Sequence, residues 1–422
     1  MGYPLYHTAL DTPDTGYFQA NITSIRDAKP IAGATVQIST ESYPEEVIAE
    51  VETDENGQTE RIDLPAPPLE YSLTPGADQP YANYNIRISA PDFETVEVNG
   101  AEVLSGETAL QNTALLPEEV SADLTEELFV VPAHTLYAEY PPKIPESETK
   151  TVEETGEIVL SRVVIPEYVV VHDGPPSDSK AKNYYVTYRD YIKNVASSEI
   201  YATWPTETII ANVLAIQSIT LNRVYTEWYR GKGYDFTITS STAYDQKWIP
   251  GRNIYESISQ VVDNVFANYL SRPNITQPIF TQYCDGKQVS CPNWMRQWES
   301  KTLGDRGYSA IEILRSFYGN SIFINSSEEI SGIPSSWPGA NLTIGSRSDK
   351  VRQMQNQLNV ISNAYPLIPK IAEDGIFGNN TAEAVRVFQK VFNLPSNGIV
   401  DYPTWYKISQ IYVGVSRIAE LQ

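Results

Sequence analysis

Residues 191–205 read YIKNVASSEIYATWP, and the Trp-Pro pair at the end of this stretch separates two predicted helices. Tyr188 to Ser198 predicts a short helix. After Pro205 a second helix is expected, with Thr206 as its cap and Glu207 in its first turn. Its core face is predicted from side chains that recur at helical spacing: Ile209, Val213, Ile216, Thr220 and Val224.

The sequence around these helices mixes strand and helix patterns. Val163 to Val171 is rich in β-branched residues and predicts a strand. Two more helices are predicted, over Tyr255 to Leu270 and from Ser309 to about Phe317. Residues 158–325 therefore predict an α+β domain.

Residues 15–117 predict an all-β domain. Polar and apolar residues alternate over 35–38 and 84–88, and turn-forming runs stand at 54–57 and 65–68. A small β-sandwich is the simplest fold for such a pattern. The series at 30–36, 53–57 and 90–95 resembles the carboxypeptidase regulatory-like (transthyretin-like) module, which implies a scaffold without chemistry of its own.

Two further segments have the composition of linkers. Residues 118–157 lose periodicity and are rich in proline and glutamate, so we expect this segment to be extended and exposed to proteases. A Ser, Pro and Gly-rich stretch precedes the last part of the chain. The predicted organisation is a tail at 1–14, the sandwich at 15–117, an acidic linker with the cleavage region at 118–157, the central domain at 158–325, a linker at 326–341 and a final domain at 342–422.

Charge is distributed unevenly along the 422 residues. Residues 1–157 hold 30 acidic and 6 basic side chains, a net charge of −24, and the rest holds 23 and 24, a net charge of +1. Without a basic field, nucleic acid is not an expected partner. The acidic part either keeps the protein soluble or is a detachable prosegment.

Neither membrane insertion nor export is expected from the sequence. No apolar run reaches the roughly 18 to 20 residues of a membrane span, and the first residues lack the pattern of a secretory signal. The two cysteines, Cys284 and Cys291, form a C-x6-C pair that offers too few ligands for zinc. We expect a local disulfide or packed thiols there, and no metal or other cofactor.

The final domain carries a dense set of family matches. Residues 342–411 resemble the peptidoglycan-binding type 1 domain, through Asp374-Gly375-Ile376-Phe377-Gly378 among others. Apolar residues at helical spacing predict an all-α, three-helix core: Val351, Leu358, Val385 and Phe388. The candidate wall-binding residues are Asp374, Phe377 and Trp405, with packing as the other interpretation of the two aromatic residues.

Residues 184–325 resemble the SpoIID/LytB domain, whose members cleave peptidoglycan glycan strands as lytic transglycosylases. The resemblance rests on a glutamate six positions before a proline that opens a helix, so Glu199 matches the family's catalytic residue. Gln217 replaces the family's helix arginine, and residues 243–245 replace its metal-site residues, so no zinc is inferred. The candidate substrate-binding residues are Asp245, Gln246, Tyr283, Asp285, Gln297 and Trp298.

One carboxyl group is sufficient for the chemistry that this resemblance implies. A lytic transglycosylase protonates the departing glycosidic oxygen while the 6-hydroxyl of N-acetylmuramic acid attacks the sugar carbon, which leaves a 1,6-anhydro ring. Glu199 is predicted to act as the acid and then as the base. A poorly solvated site must raise its pKa, and Tyr201 and Trp204 are the candidate walls.

The order of the parts resembles the spore cortex-lytic enzymes of spore-forming anaerobes. That resemblance implies a zymogen located in the cortex region of the spore, with cortex peptidoglycan as substrate. It also implies that a subtilisin-like Csp protease activates the zymogen at germination by removing the amino-terminal segment. Two alternatives remain open: a noncatalytic wall-binding enhancer of an amidase, and a muramoyl amidase.

Overall fold

The computed structural model describes residues 13–26, 28–76, 78–118, 127–138, 140–151, 154, 162–332 and 337–416. The chain is multidomain and mixed α/β, with a helical region at its carboxyl side. Most of the predicted tail at 1–14, and nearly all of 152–161 within and after the predicted cleavage region, lie outside the described residues.

The first part of the chain is built from strands whose alternate side chains are buried. On β1, Phe18, Ala20 and Ile22 are fully buried, and on β2 Val36 and Ile38 are. This period of two puts one face of each sheet into a common apolar core. The elements are β1 Asp14–Ser24, β2 Thr35–Thr40, β3 Tyr43–Glu52, β4 Ile62–Ala66, α1 Glu70–Leu73, β5 Tyr81–Ser89, β6 Val96–Leu104 and β7 Thr108–Leu115.

Both sheets of this part gain a strand from later in the chain. One sheet has the order β3-β2-β5-β6-β8, where β8 is Glu127–Val130 and lies parallel to β6. The other has the order β13-β7-β1-β4, where β13 is Ile254–Tyr255 of the central region and pairs antiparallel with β7. The second sheet is therefore joined to the central region by backbone hydrogen bonds, and the first is joined to the segment that follows it.

Helices α2 and α3 form the buried centre of the middle region. The elements here are β9 Val164–Ile165, β10 Tyr168–His172, β11 Asn183–Thr187, α2 Tyr188–Glu199, α3 Thr206–Tyr225, β12 Ile238–Thr239, α4 Glu256–Val265, β14 Asn268–Ser271, β15 Tyr283–Cys284, β16 Met295–Arg296, α5 Gln297–Asp305, α6 Ala310–Tyr318, β17 Phe323–Ser326 and β18 Glu329–Ile330. Of the predicted core face, Ile209, Val213 and Ile216 are buried. The helices predicted from Tyr188, Thr206 and Ser309 are confirmed.

Two sequence predictions in this region were wrong in detail. The helix predicted over Tyr255 to Leu270 ends at Val265, because Asn268–Ser271 pairs instead with β17. Thr206 is the first residue of α3 and not its cap; Pro205 occupies the capping position without a side-chain hydrogen bond. In the first case, strand pairing overrides the apolar helical pattern. In the second, the local backbone places the helix start one residue earlier than the capping pattern predicts.

The segment 140–151, which we call the strap, lies against the central region. Tyr140, Lys143 and Lys150 are all buried. The backbone N–H of Ile144 donates to the carbonyl of Ala243 at 2.8 Å, and that of Phe280 donates to the carbonyl of Glu148 at 2.7 Å. The prediction of an exposed linker was therefore wrong for Tyr140, Lys143 and Lys150, because groups more than 90 positions away in sequence hold this segment, while the side chains at 141, 142, 144, 145, 147 and 151 are exposed.

Three helices form the carboxyl-side domain: α7 Asp349–Ile361, α8 Asn379–Val391 and α9 Tyr402–Ser416. The four predicted core residues, Val351, Leu358, Val385 and Phe388, are fully buried, which confirms the predicted helical core. Two buried glutamines hold matching turns. The Nε2 donors of Gln355 reach Asp374, Ile376 and Thr381, and those of Gln389 reach Asn397, Ile399 and Thr404.

Candidate active site

Glu199 is the last residue of α2, and its side chain is completely buried. Its Oε1 accepts a hydrogen bond from the backbone N–H of Lys247 at 2.7 Å. Its Oε2 accepts a hydrogen bond from the hydroxyl of Tyr283. The carboxyl group is thus fixed by one donor on each oxygen.

Burial raises the pKa of Glu199, because a carboxylate that leaves water loses its solvation. The Lys143 ammonium, the Tyr283 hydroxyl and the Lys247 N–H favour the charged form and oppose that rise, but they do not outweigh it. The result is a carboxyl group that holds its proton to higher pH than an exposed glutamate. A raised pKa is the direction that a carboxyl group needs to act as a general acid.

Tyr283 is held in place by a second buried side chain. It lies on β15, which pairs with β16, and its hydroxyl accepts a hydrogen bond from Gln246 Nε2 at 3.2 Å. Gln246 is anchored in turn by Tyr191, Thr220 and the Ile216 carbonyl. Both residues were predicted to bind substrate; in the structure Tyr283 contacts Glu199, and Gln246 orients Tyr283 from within the core.

The strap brings a lysine into the site. The Nζ of Lys143 donates to the backbone carbonyl of Asp245 at 2.6 Å and lies 4.7 Å from the centre of the Tyr283 ring. Its charge also acts on Glu199. Lys143 and Lys150 are the two basic residues in the otherwise acidic stretch 118–157. Sequence reasoning missed Lys143, although a basic residue in an otherwise acidic stretch was a signal that it has a specific role.

The sequence predicted that Asp245 binds substrate, but its carboxylate points away from Glu199 into the core. Its carboxylate is buried, pairs with Arg223 Nε at 2.6 Å and accepts hydrogen bonds from Tyr229 and Thr239. Arg223, which the sequence did not single out, also meets Glu146 of the strap. The role of Asp245 is to hold this guanidinium, since an unpaired charge in this position would be costly.

The remaining predicted substrate-binding residues are also engaged within the fold. Asp285 is buried and accepts hydrogen bonds from the backbone of Gln288 and Val289, so it shapes the loop after β15. Gln297 Nε2 donates to the backbone carbonyl of Glu199 at 3.1 Å. Trp298 is buried against Trp204 and Tyr201. Of these three residues, Gln297 touches the catalytic candidate.

The structure shows further groups around Glu199 besides the two predicted aromatic residues. Tyr201 and Trp204 pack against Trp298 and one another. The groups that act on the Glu199 carboxyl are Tyr283, Lys143 and Lys247. Burial raises the pKa of Glu199, and the polar groups that oppose this rise come from segments distant in sequence.

Cys284 and Cys291 form a disulfide, with an S–S distance of 2.07 Å. This resolves the two alternatives left by the sequence and closes the loop that follows Tyr283. In the part of the chain that the structure describes, no three His, Cys, Asp or Glu side chains gather where they could hold a metal ion.

The predicted wall-binding residues separate into one exposed and two buried side chains. Asp374 is exposed at the turn that Gln355 supports. Phe377 and Trp405 are fully buried, so these two residues fill the domain core and offer no exposed surface to a wall polymer. The packing interpretation is correct for both aromatic residues.

A comparison with known families identifies one match within the chain. PG_binding_1, a peptidoglycan binding domain, matches residues 347–408. The match covers α7, α8 and about half of α9. The chain therefore carries a peptidoglycan-binding domain, which indicates association with the cell wall.

Other comparisons give no further assignment. No curated protein matches the chain. Structural similarity to the Bacillus anthracis TIE protein has 15% identity, covers 25% of this chain and 17% of that one, and has a TM-score of 0.18. GBS52, the minor pilin of Streptococcus agalactiae, has 13% identity, with 32% of this chain and 49% of that one covered and a TM-score of 0.18. Klebsiella pneumoniae 5-hydroxyisourate hydrolase has 16% identity, with 24% of this chain and 90% of that one covered and a TM-score of 0.16. The chain thus spans less than two thirds of the first two proteins, and TM-scores this low carry no argument.

None of the helices in the described ranges is both long and apolar enough to cross a bilayer.

Proposed function

We propose that this protein is the proenzyme of a peptidoglycan lytic transglycosylase, a spore cortex-lytic enzyme of the SleC type. In this proposal the two-sheet part is a carboxypeptidase regulatory-like sandwich that serves as prosegment. The central region is a SpoIID-like catalytic domain, and the helical domain binds the wall. The observation that carries the proposal is Glu199, a buried carboxyl group of raised pKa with a hydrogen-bond donor on each oxygen.

The proposed reaction balances around this single carboxyl group. Protonated Glu199 gives its proton to the glycosidic oxygen as the bond from the N-acetylmuramic carbon to that oxygen breaks. The 6-hydroxyl oxygen of the same sugar bonds to that carbon, and its proton passes to the Glu199 carboxylate. The products are a 1,6-anhydro sugar and a shortened glycan, and the acid returns to its starting form without consuming water.

Tyr283 and Lys247 position the group that moves the proton. The Lys247 N–H fixes one oxygen, and the Tyr283 hydroxyl contacts the other oxygen and stabilises the carboxylate that forms after proton donation. When the Glu199 carboxylate then accepts the 6-hydroxyl proton, the Tyr283 hydroxyl can stay hydrogen-bonded to both the charged and the neutral form of Glu199.

The strap supports the proenzyme part of the proposal. Tyr140 and Lys143 are buried and close enough to interact electrostatically with Glu199, and the Glu199 side chain is not exposed to solvent while the strap is in place. Cleavage by a subtilisin-like protease after the strap, within 152–161, would separate the strap from the central region in sequence. The blocking element in this proposal is therefore the strap, whose two lysines are buried, and not the acidic surface of the sheets.

The proposal is tested by Glu199→Gln in protein cut within 152–161. We expect the release of anhydro-muramic ends from cortex fragments to fall about 10²- to 10⁴-fold, the usual contribution of a general acid-base group. Mass spectrometry of the products measures this. Glu299→Gln is the matched control, because Glu299 is an exposed glutamate of the same region that pairs with Arg296. Equal product formation by the two variants would contradict the proposal.

A second candidate is a noncatalytic wall-binding enhancer of an amidase. The family match at residues 347–408 favours it, because that match implies a polymer and no reaction. The same assay separates the two functions. An enhancer yields no anhydro ends alone but increases peptide release by an added amidase, and this effect would be unchanged in Glu199→Gln.

A further inference from the structure

The strap places two carboxylates on two arginines of the central region. Glu146 meets Arg223 through both oxygens, at 2.7 and 2.9 Å. Glu148 meets Arg272 in the same two-point manner, at 2.6 and 2.8 Å. Paired contacts of this kind recognise the planar shape of a carboxylate as well as its charge.

The strap backbone is also bound as a peptide. The Gln282 side chain accepts from the N–H of Glu146 and donates to the carbonyl of Ile144. The Gln277 side chain does the same for the N–H and carbonyl of Lys150. Together with Phe280, these residues form an edge that reads the N–H and C=O groups of an extended chain.

Both arginines are held by groups that do not belong to the strap. Arg223 donates to Asp245 at 2.6 Å and to the carbonyl of Tyr244 at 3.2 Å. Arg272 donates to the Ser321 hydroxyl and the Tyr318 carbonyl, both at 2.7 Å. When the strap leaves, the two guanidinium groups keep these anchors. A groove that is ordered in advance loses less entropy when a new ligand binds.

We propose that the groove occupied by the strap, lined by Arg223, Arg272, Gln277 and Gln282, is a binding site for a carboxylate-bearing peptide. This inference rests on the proposed function, since it identifies the ligand as the stem peptide that peptidoglycan carries on its lactyl groups. Lys143 and Glu146 are three positions apart on the strap, so the groove begins beside Glu199. A stem peptide bound there lies next to the glycan bond that Glu199 acts on.

Competition between the strap and a defined muropeptide tests the site. The protein carries Glu199→Gln, to prevent turnover, and a protease sequence within 152–161 that is cut before measurement. We expect a disaccharide tetrapeptide with free carboxylates to accelerate amide hydrogen exchange across residues 140–151 by about tenfold, because it displaces the carboxylates of Glu146 and Glu148. The same muropeptide with its peptide carboxylates amidated is expected to leave exchange unchanged.

Arg272→Gln is expected to abolish the difference between the two muropeptides, whereas Arg306→Gln, at an exposed arginine of the same region, is expected to retain it. Equal effects of the free-acid and amidated ligands, or no effect of either, would overturn the assignment. The result is independent of catalysis. If Glu199 proves dispensable for glycan cleavage, the proposed function fails. The exchange experiment still decides separately whether a carboxylate-bearing peptide displaces the strap.

Discussion

At the scale of single residues, the environment of Glu199 is set by an imbalance between solvation and local charge. Complete burial raises its pKa, while Lys143 and the hydrogen bond from Tyr283 oppose this effect. Burial and the nearby Glu199 charge raise the pKa of Tyr283 as well, so its hydroxyl stays protonated and serves as a donor. The hydrogen bond from Tyr283 therefore stabilises the charged form of Glu199, and its loss would favour the neutral carboxyl group.

Tyr283→Phe tests this pair. Without the donor, the pKa of Glu199 is expected to rise further, so the alkaline limb of the activity profile of cut protein moves to higher pH. The rate is expected to fall roughly tenfold, the equivalent of one hydrogen bond to a charged group. Steady-state rates across pH measure both effects. Tyr318→Phe is the control, because that buried hydroxyl bonds to backbone carbonyls and not to Glu199, and an unshifted limb in Tyr283→Phe would contradict the assignment.

At the scale of elements, the strap shows how a polar segment becomes part of the interior. Its two lysines are buried and Glu146 is partly buried because each meets a partner: Glu146 pairs with Arg223 and Lys150, and Lys143 donates to a carbonyl. Burial by itself would raise the pKa of Glu146, but the hydrogen bonds and charge of Arg223, with Lys150, outweigh burial and lower it. Docking of the strap is consequently linked to the ionised form of Glu146.

The strap is predicted to loosen in acid. A carboxylate whose pKa is depressed in the folded state contributes stability above its unfolded pKa, and this contribution is lost as the pH falls through the folded pKa. Docking should be constant from neutral pH to about pH 5 and weaken below about pH 4. Amide exchange of residues 140–151, corrected for the intrinsic rate at each pH, measures it. In Glu146→Gln the exchange is expected to be faster throughout and to lose this acid response; an identical response in both proteins would exclude Glu146 as its source.

At the scale of the whole molecule, buried polar contacts connect the sheets, the central region and the helical domain. Glu102 on β6 pairs with Arg252 at 2.6 Å, and both side chains are buried. Arg252 also donates to the Ser197 carbonyl of α2, two residues before Glu199. On the other side, Arg189 of α2 meets Asp263 and, in α9, Gln410. Helix α2 is thus contacted from both neighbouring parts, and cutting the linker alone leaves these contacts intact.

Glu102→Gln is predicted to weaken the junction between the sheets and the central region. Breaking a buried pair leaves an uncompensated guanidinium, which typically costs about 3–5 kcal/mol. Chemical denaturation of the full chain measures the change in the free energy of unfolding. Glu97→Gln on the same strand is the matched control: its partner Arg87 is half exposed, so its loss should cost at most about 1 kcal/mol. Similar costs for the two variants would contradict the buried role of Glu102.

The sequence by itself determined the features that depend on local pattern. Helical spacing identified α2, α3 and the core of Val351, Leu358, Val385 and Phe388, and the family resemblance located the peptidoglycan-binding domain. Local patterns succeed here because the period of the apolar residues and the backbone geometry are properties of neighbouring positions.

Only the tertiary structure decided the surroundings of Glu199 and the course of the strap. Lys143, Tyr283 and Lys247 lie 48 to 84 positions away from Glu199 in sequence and meet it through folding. Asp245 and Trp298, which were expected at the substrate, are instead held by buried partners. The physical reason is that burial and charge pairing depend on what surrounds a group in space. The acidic composition of 118–157 therefore did not indicate which arginines its glutamates would pair with.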